Sequence, residues 1–199
     1  MQPGLSTDIL GRAISFYNGL LSEQDLAISS RQVLDDGLEH GKLIFGGRRL
    51  SPYLRPHFVT EDDWQRVAST CETVFRALQK VKDAAVEDDA LLDELGITEV
   101  ERELVKIDPG YSHVSPTCRL DSFLTADSYS YVELNGESPA GIAYADSATD
   151  IFYKLPVMQR FTERFHIRGF EGRPKLLDVL LSCYKEFTGG AQFDGKPSI

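Results

Sequence analysis

Asp121, Glu133 and Asn135 bring three hard oxygen-bearing side chains into fifteen residues, and Arg119 sets a guanidinium beside them. Residues 118–125 and 129–135 are rich in aromatic, Thr, Val and Leu residues and flank the polar Ala126-Asp127-Ser128, the pattern of a β-hairpin with a short loop. With the loop centred on Asp127, Asp121 falls opposite Glu133 and Arg119 opposite Asn135, while Leu120, Leu124, Val132 and Leu134 turn to the other face. Two carboxylates opposed across strands repel unless a positive charge lies between them, and Asn135 adds a neutral oxygen two residues beyond Glu133 on the same side. Carboxylate, carboxylate and amide oxygens suit Mg²⁺. On these residues alone a second reading stays open: a solvated hairpin whose acids keep an edge soluble and whose Arg119 pairs with one of them.

The elements that must hold this hairpin read as helices. Thr7 and Asp8 can cap a helix running to about Leu21, with Ile9, Leu10, Ala13, Ile14, Tyr17 and Leu20 on one face. Ser22 to Leu38 reads as a second, with a cap and early negative charge at its start. Residues 40–59 read as irregular, and Pro52 to Phe58 as largely extended, because each proline disfavours helix in the residue before it. Within that stretch Gly46-Gly47-Arg48-Arg49 suits either a phosphate or a solvated turn.

Thr60 can cap the clearest helix, which reaches about Val81 with Trp64, Val67, Ala68, Cys71, Val74, Phe75, Leu78 and Val81 on one stripe and Trp64 expected in the core. Short acidic helices follow at about 88–95 and 98–106, and Asp108-Pro109-Gly110 forces a turn. After Gly141 a helix is expected from Asp146 to Leu155, bent or restarted at Pro156. The last helix has Pro174 in its first turn, a buried Leu180 on its apolar face and Gly189 at its end. The fold class is α+β, helix-rich with a small antiparallel sheet or hairpin.

A formal charge of −10 and a pI near 4.9 argue against recruitment to nucleic acid or an anionic membrane by bulk charge. No apolar run approaches the roughly 18 residues of a membrane span, and the first residues lack a basic segment followed by an apolar one. The expectation is a soluble, cytoplasmic protein. Cys71, Cys118 and Cys183 are odd in number and widely spaced, which argues against a disulfide framework or a thiolate zinc site and fits a reducing compartment. Cys71 and Cys183 sit on apolar helices as small core residues, and His40, His57, His113 and His166 show no metal-ligand spacing.

Three segments together carry a family resemblance: Asp108-Pro-Gly-Tyr111, Ser115-Pro-Thr-Cys-Arg119-Leu-Asp121-Ser-Phe, and Val132-Glu133-Leu-Asn135-Gly-Glu-Ser138-Pro-Ala-Gly141-Ile-Ala-Tyr144-Ala-Asp146. The chain resembles the circularly permuted ATP-grasp family related to glutathionylspermidine synthetase, densely from about residue 103 to 165 and more loosely upstream. The resemblance implies that Asp121, Glu133 and Asn135 hold the Mg²⁺ bridging ATP phosphates, that Arg119 faces an acyl-phosphate or its carboxylate as a catalytic residue, and that Ser138 touches a carboxylate or peptide substrate. Pro139-Ala140-Gly141 departs from the synthetases there. Such ligases join an acid to an amine through an acyl-phosphate.

In the permuted order the nucleotide-cradling sheet with its lysines comes after the metal hairpin, so residues 1–199 are expected to be a single amino-terminal region: a helical part at 1–106, the metal hairpin at 107–145 and a helical part at 146–199. The ATP-binding half would come in cis or from another chain. The implied function is one wall of the active site of an ATP-dependent carboxylate-amine ligase, inactive alone, using Mg and ATP when complete. The alternative is a non-catalytic binding or interaction module that keeps the metal corner. Neither reading involves a nucleic acid or a membrane.

Overall fold

Apolar residues at three- and four-residue spacing wind the first forty residues into α1 (Leu5–Leu21) and α2 (Gln24–His40). The computed structural model describes residues 5–112, 115–125, 128–136 and 139–190, with the backbone alone for 5–8. α1 starts ahead of the cap expected at Thr7 and Asp8. Glu23 rather than Ser22 is the N-cap of α2, and the Ser22 hydroxyl donates back to the Gly19 carbonyl.

A small hairpin, β1 (Ile44–Phe45) with β2 (Arg48–Arg49), stands where the sequence reads as irregular. Ile44 pairs with Arg49 and Phe45 with Arg48, and the tip residues Gly46 and Gly47 both have positive φ, 55° and 75°, which glycine adopts without strain. Strands of two residues are too short for alternation to reveal them. The remaining elements are α3 (Glu61–Glu87), α4 (Asp89–Glu94), α5 (Glu99–Val105), β3 (Arg119–Leu124), β4 (Tyr129–Asn135), α6 (Ile142–Phe152), α7 (Pro156–Thr162) and α8 (Gly172–Phe187). The protein is α+β, helix-rich with two small antiparallel sheets.

Local chemistry explains most boundaries. Thr60 Oγ1 accepts from Asp63 N at 3.1 Å and caps α3. Thr98 and Glu101 form a reciprocal capping box on α5. Asp108 Oδ1 accepts from Gly110 N at 2.8 Å, and Gly110, at φ 76°, makes the turn. Beyond Gly141, α6 begins at Ile142, four residues before the expected Asp146, and the helical run breaks at 153–155 before Pro156 opens α7.

The chain divides into two compact units interleaved along the sequence: Met1–Trp64, Leu124–Ser128 and Pro139–Lys175 form one, and Gln65–Phe123, Tyr129–Ser138 and Leu176–Ile199 the other. In the first, α1 packs on α2 and α7, and α2 on α6 and α7. The buried cluster between them holds Tyr17, Leu34, Leu38, Leu155, Val157, Met158 and Phe161. Gly37 lets α2 approach α6 closely, because a Cβ there would lie 2.7 Å from Ile151. The extended Pro52–Phe58 segment crosses this core: Tyr17 OH donates to Leu54 O at 3.0 Å, and Phe58 stacks on Phe161 at 5.0 Å. Burial pushes the Tyr17 phenol far above its ordinary ionisation range, so the hydroxyl stays a donor.

Two expected core residues are only half-buried, Trp64, which packs on Phe170 with ring centroids 4.3 Å apart, and Leu180. In the second unit, complete burial among the described hydrophobic residues is confined to Ala85 and Leu92. A regular apolar stripe fixes which face of a helix turns inward and leaves the depth of burial open.

Leu155, the N-cap of α7, makes no side-chain cap, and fully buried Ser30 on α2 supplies one: Val157 N donates to Ser30 Oγ at 3.0 Å. Ser30→Ala should cost about 1–3 kcal/mol by leaving a buried N–H unsatisfied. Urea denaturation checks this, and a loss under about 0.3 kcal/mol would mean that the amide finds another acceptor.

Candidate functional site

β3 and β4 belong mostly to the second unit, joined through Thr125 and Ser128. Thr125 N donates to Ser128 O at 2.8 Å, and Thr125 Oγ1 accepts from Ser128 N at 3.0 Å, so the hairpin closes across residues 126–127. That is one residue tighter than a loop centred on Asp127, which itself lies outside the described residues. A one-residue change of register exchanges the faces. At the tip, accordingly, Ser122 shares a face with Tyr129 and its Oγ donates to Tyr129 OH at 2.9 Å. The expected oily face is split, with Leu120 and Leu124 half-buried while Val132 and Leu134 are exposed.

β4 carries seven residues against six in β3, and its alternation of exposure fails over Val132-Glu133-Leu134, all exposed.

The side chains at the base of the hairpin form two short pairs. Arg119 Nε donates to Asp121 Oδ1 at 2.7 Å, and Asn135 Nδ2 donates to Glu133 Oε1 at 3.1 Å. The Asp121 hydrogen bond and charge, and more weakly the Glu133 charge, push Arg119 above its already high ionisation range. The guanidinium is thus paired with Asp121, and both sides of that pair are well exposed. An exposed pair of this kind is weak and displaceable. Among the described residues no group of three or more His, Cys, Asp or Glu side chains is placed to hold a metal ion, and the Asp121, Glu133 and Asn135 set has two carboxylates and an amide. Turning the Asn135 amide by half a turn would place its Oδ1, a neutral oxygen, beside Glu133. Ser138, the expected substrate contact, lies outside the described residues.

The hairpin is anchored at its base, where Ser115 Oγ donates to Gly136 O at 3.3 Å. The Asp108-Pro-Gly-Tyr turn is tied to the end of α8, since Ser112 N and Oγ both donate to Glu186 Oε2, at 2.7 and 2.9 Å. The far end of the same motif, Asp146, is a clamp within the first unit. Its carboxylate, 8% exposed, accepts from Gly172 N at 3.1 Å and Arg173 N at 2.8 Å at the start of α8. These backbone bonds, the Arg173 amide first, hold it below the usual carboxylate range.

One cluster on the hairpin was not foreseen. Tyr131 OH donates to Cys71 Sγ at 3.4 Å, and Tyr129 OH lies 3.4 Å from the same sulfur, bringing α3 and β4 together in the second unit. Burial first, then the contact with Cys71, pushes both phenols up, and burial likewise raises the Cys118 thiol. Period-two spacing puts Tyr129 and Tyr131 on one face, but their partner stands about sixty residues away in sequence, where no local pattern reaches. Cys71, Cys118 and Cys183 are free thiols. No helix among the described residues is long and apolar enough to cross a membrane. Compared with known proteins, the chain matches no protein-family model, no curated protein and no solved structure.

Proposed function

We propose that this chain is the amino-terminal portion of an ATP-grasp type carboxylate-amine ligase, supplying the Mg²⁺-binding and substrate-facing wall of the active site and inactive alone. The observation that carries the reading is the pair of contacts at the base of the hairpin, Arg119 with Asp121 and Glu133 with Asn135, with the Glu133 charge acting on Arg119. Asp121, Glu133 and Asn135 would hold Mg²⁺, which when bound neutralises phosphate charge and aligns phosphoryl transfer. Arg119, released from Asp121, would bind and orient the carboxylate of the acid. Its planar fork matches that group in two hydrogen bonds. Ser138 would contact the substrate.

Three protein oxygens make an open site, because Mg²⁺ keeps several waters and is completed by substrate phosphates. Titration calorimetry of the chain should therefore show weak Mg²⁺ binding that is lost in Asp121→Ala and Glu133→Ala and tightened in Arg119→Ala, which frees Asp121 of its competing cation. The chain alone should produce no ADP above background. Equal Mg²⁺ affinity in all four proteins would sink the metal role. Steady ADP release abolished by Asp121→Ala would show instead that a nucleotide site is complete within these residues.

A second reading, a binding module that works without turnover, is favoured by Phe123 and Val132, both exposed on the hairpin. The coding sequence beyond Ile199 separates the two: continuation into a lysine-bearing ATP-binding domain supports the ligase, and a stop codon supports the module.

A further inference from the structure

Residues 41–60 contain Lys42, Arg48, Arg49 and Arg55 and no carboxylate, in a chain whose net charge is −10. Every residue from Ile44 to Leu50 is exposed, including Phe45 at 76%, and Tyr53 nearby is 75% exposed. The β1–β2 hairpin is nonetheless firmly based: Leu43 is buried, Leu50 N donates to Leu43 O at 3.0 Å, and Arg49 lies 3.2 Å from Asp35 on α2. Phe45 and Arg48 are cross-strand partners, so they share the face opposite the one holding Arg49. The result is a hairpin tied down at its base and bearing an exposed aromatic ring and cations.

The opposite chemistry occupies residues 87–108, across α4 and α5 of the second unit, with nine carboxylates against two cations. Those two, Arg102 and Lys106, are already engaged by Asp89 and Asp93. Between the remaining acids Val100 is 68% and Ile107 65% exposed, with Leu104 close behind. Exposed apolar side chains ringed by charge of one sign mark an interaction surface.

We propose that these two surfaces dock on each other between copies of this chain, the Phe45 and Arg48 hairpin of one seating on the α4–α5 face of the next. Charge complementarity selects a second copy as the occupant. A nucleic acid or an anionic bilayer would meet the hairpin but be repelled by the rest of the chain, whereas another copy brings the acids and aliphatic side chains that the hairpin lacks. Because the two surfaces differ, the contact is heterologous and leaves one of each kind open at the ends of a dimer.

Sedimentation velocity of the 199-residue chain tests this. At about 20 mM salt the average mass should rise with concentration above the 22.2 kDa of one chain, and the rise should vanish near 0.5 M salt, as expected for charge pairing under screening. The double variants Phe45→Ala with Arg48→Ala, and Glu99→Lys with Glu103→Lys, alter exposed side chains only and should keep the wild-type helical signal in circular dichroism. Each alone should self-associate at least about tenfold more weakly. Mixed, they should form a complex of one copy of each and no more, since each retains the surface the other has lost. A wild type monomeric at low salt overturns the proposal, as does undiminished self-association of either variant or a mixture without complex. Binding of a monomeric wild type to anionic vesicles or to a single-stranded oligonucleotide, lost in the Phe45 and Arg48 variant, also overturns it and assigns the hairpin to that partner.

Discussion

Phe161→Ala should be the most damaging single truncation in the chain, at about 3–5 kcal/mol. Phe161 is fully buried and stands at the centre of an aromatic group: Phe165 stacks on it at 4.9 Å, Phe58 at 5.0 Å, and Tyr17 meets it edge-on at 5.2 Å. Its removal forfeits the transfer of one ring from water and also leaves a space bounded by rigid rings, which relax little into it. A domain of ordinary stability has about 5–15 kcal/mol in all, so this one change would bring the first unit close to unfolding at room temperature. Urea denaturation gives the answer as a shift in midpoint at unchanged slope. A loss below about 1 kcal/mol would show that Phe58 or Phe165 moves in to fill the space.

Asp146→Ala should cost about 1–3 kcal/mol, because two backbone N–H groups at the start of α8 and the Arg173 guanidinium lose an acceptor held in a nearly buried position. The effect carries a pH signature. The folded-state pKa of Asp146 is depressed below its unfolded value, so its contribution is fully present above the unfolded pKa of about 3.9 and is lost as pH falls through the folded one. Thermal melts of wild type and variant should therefore differ at pH 7 and converge on acidification below about pH 4. A gap of equal size at pH 7 and pH 2 would mean that the neutral carboxyl clamps α8 as well as the anion does.

Signals within a few residues of one another were legible in the sequence. The short helix at about 98–106, the Thr60 cap, the Asp-Pro-Gly turn and the break before Pro156 all follow from side chains and backbone at neighbouring positions. The β3–β4 hairpin was legible as a hairpin, but its tip was misplaced by one residue, because Thr125 and Ser128 close it with hydroxyl and backbone bonds that period-two counting does not weigh. Glycine pairs signal turns, yet the β1–β2 strands are two residues long and left no alternation to read. The half-burial of Trp64 and Leu180 and the meeting of Cys71 with Tyr131 depend on tertiary packing, which a helical stripe constrains only in direction.

The Ser30 hydroxyl and the Val157 amide that it caps are 127 residues apart, and the core around them is closed by α7 from far along the chain. At a synthesis rate of about 5–20 residues per second, the apolar faces of α1 and α2 leave the ribosome roughly 6–25 seconds before the helix that covers them. During that interval Leu34 and Tyr17 have neither Phe161 nor Leu155 to pack against. Birth of the first unit is thus a waiting problem: its amino-terminal helices need a holding partner, or each other, until residue 161 has been made.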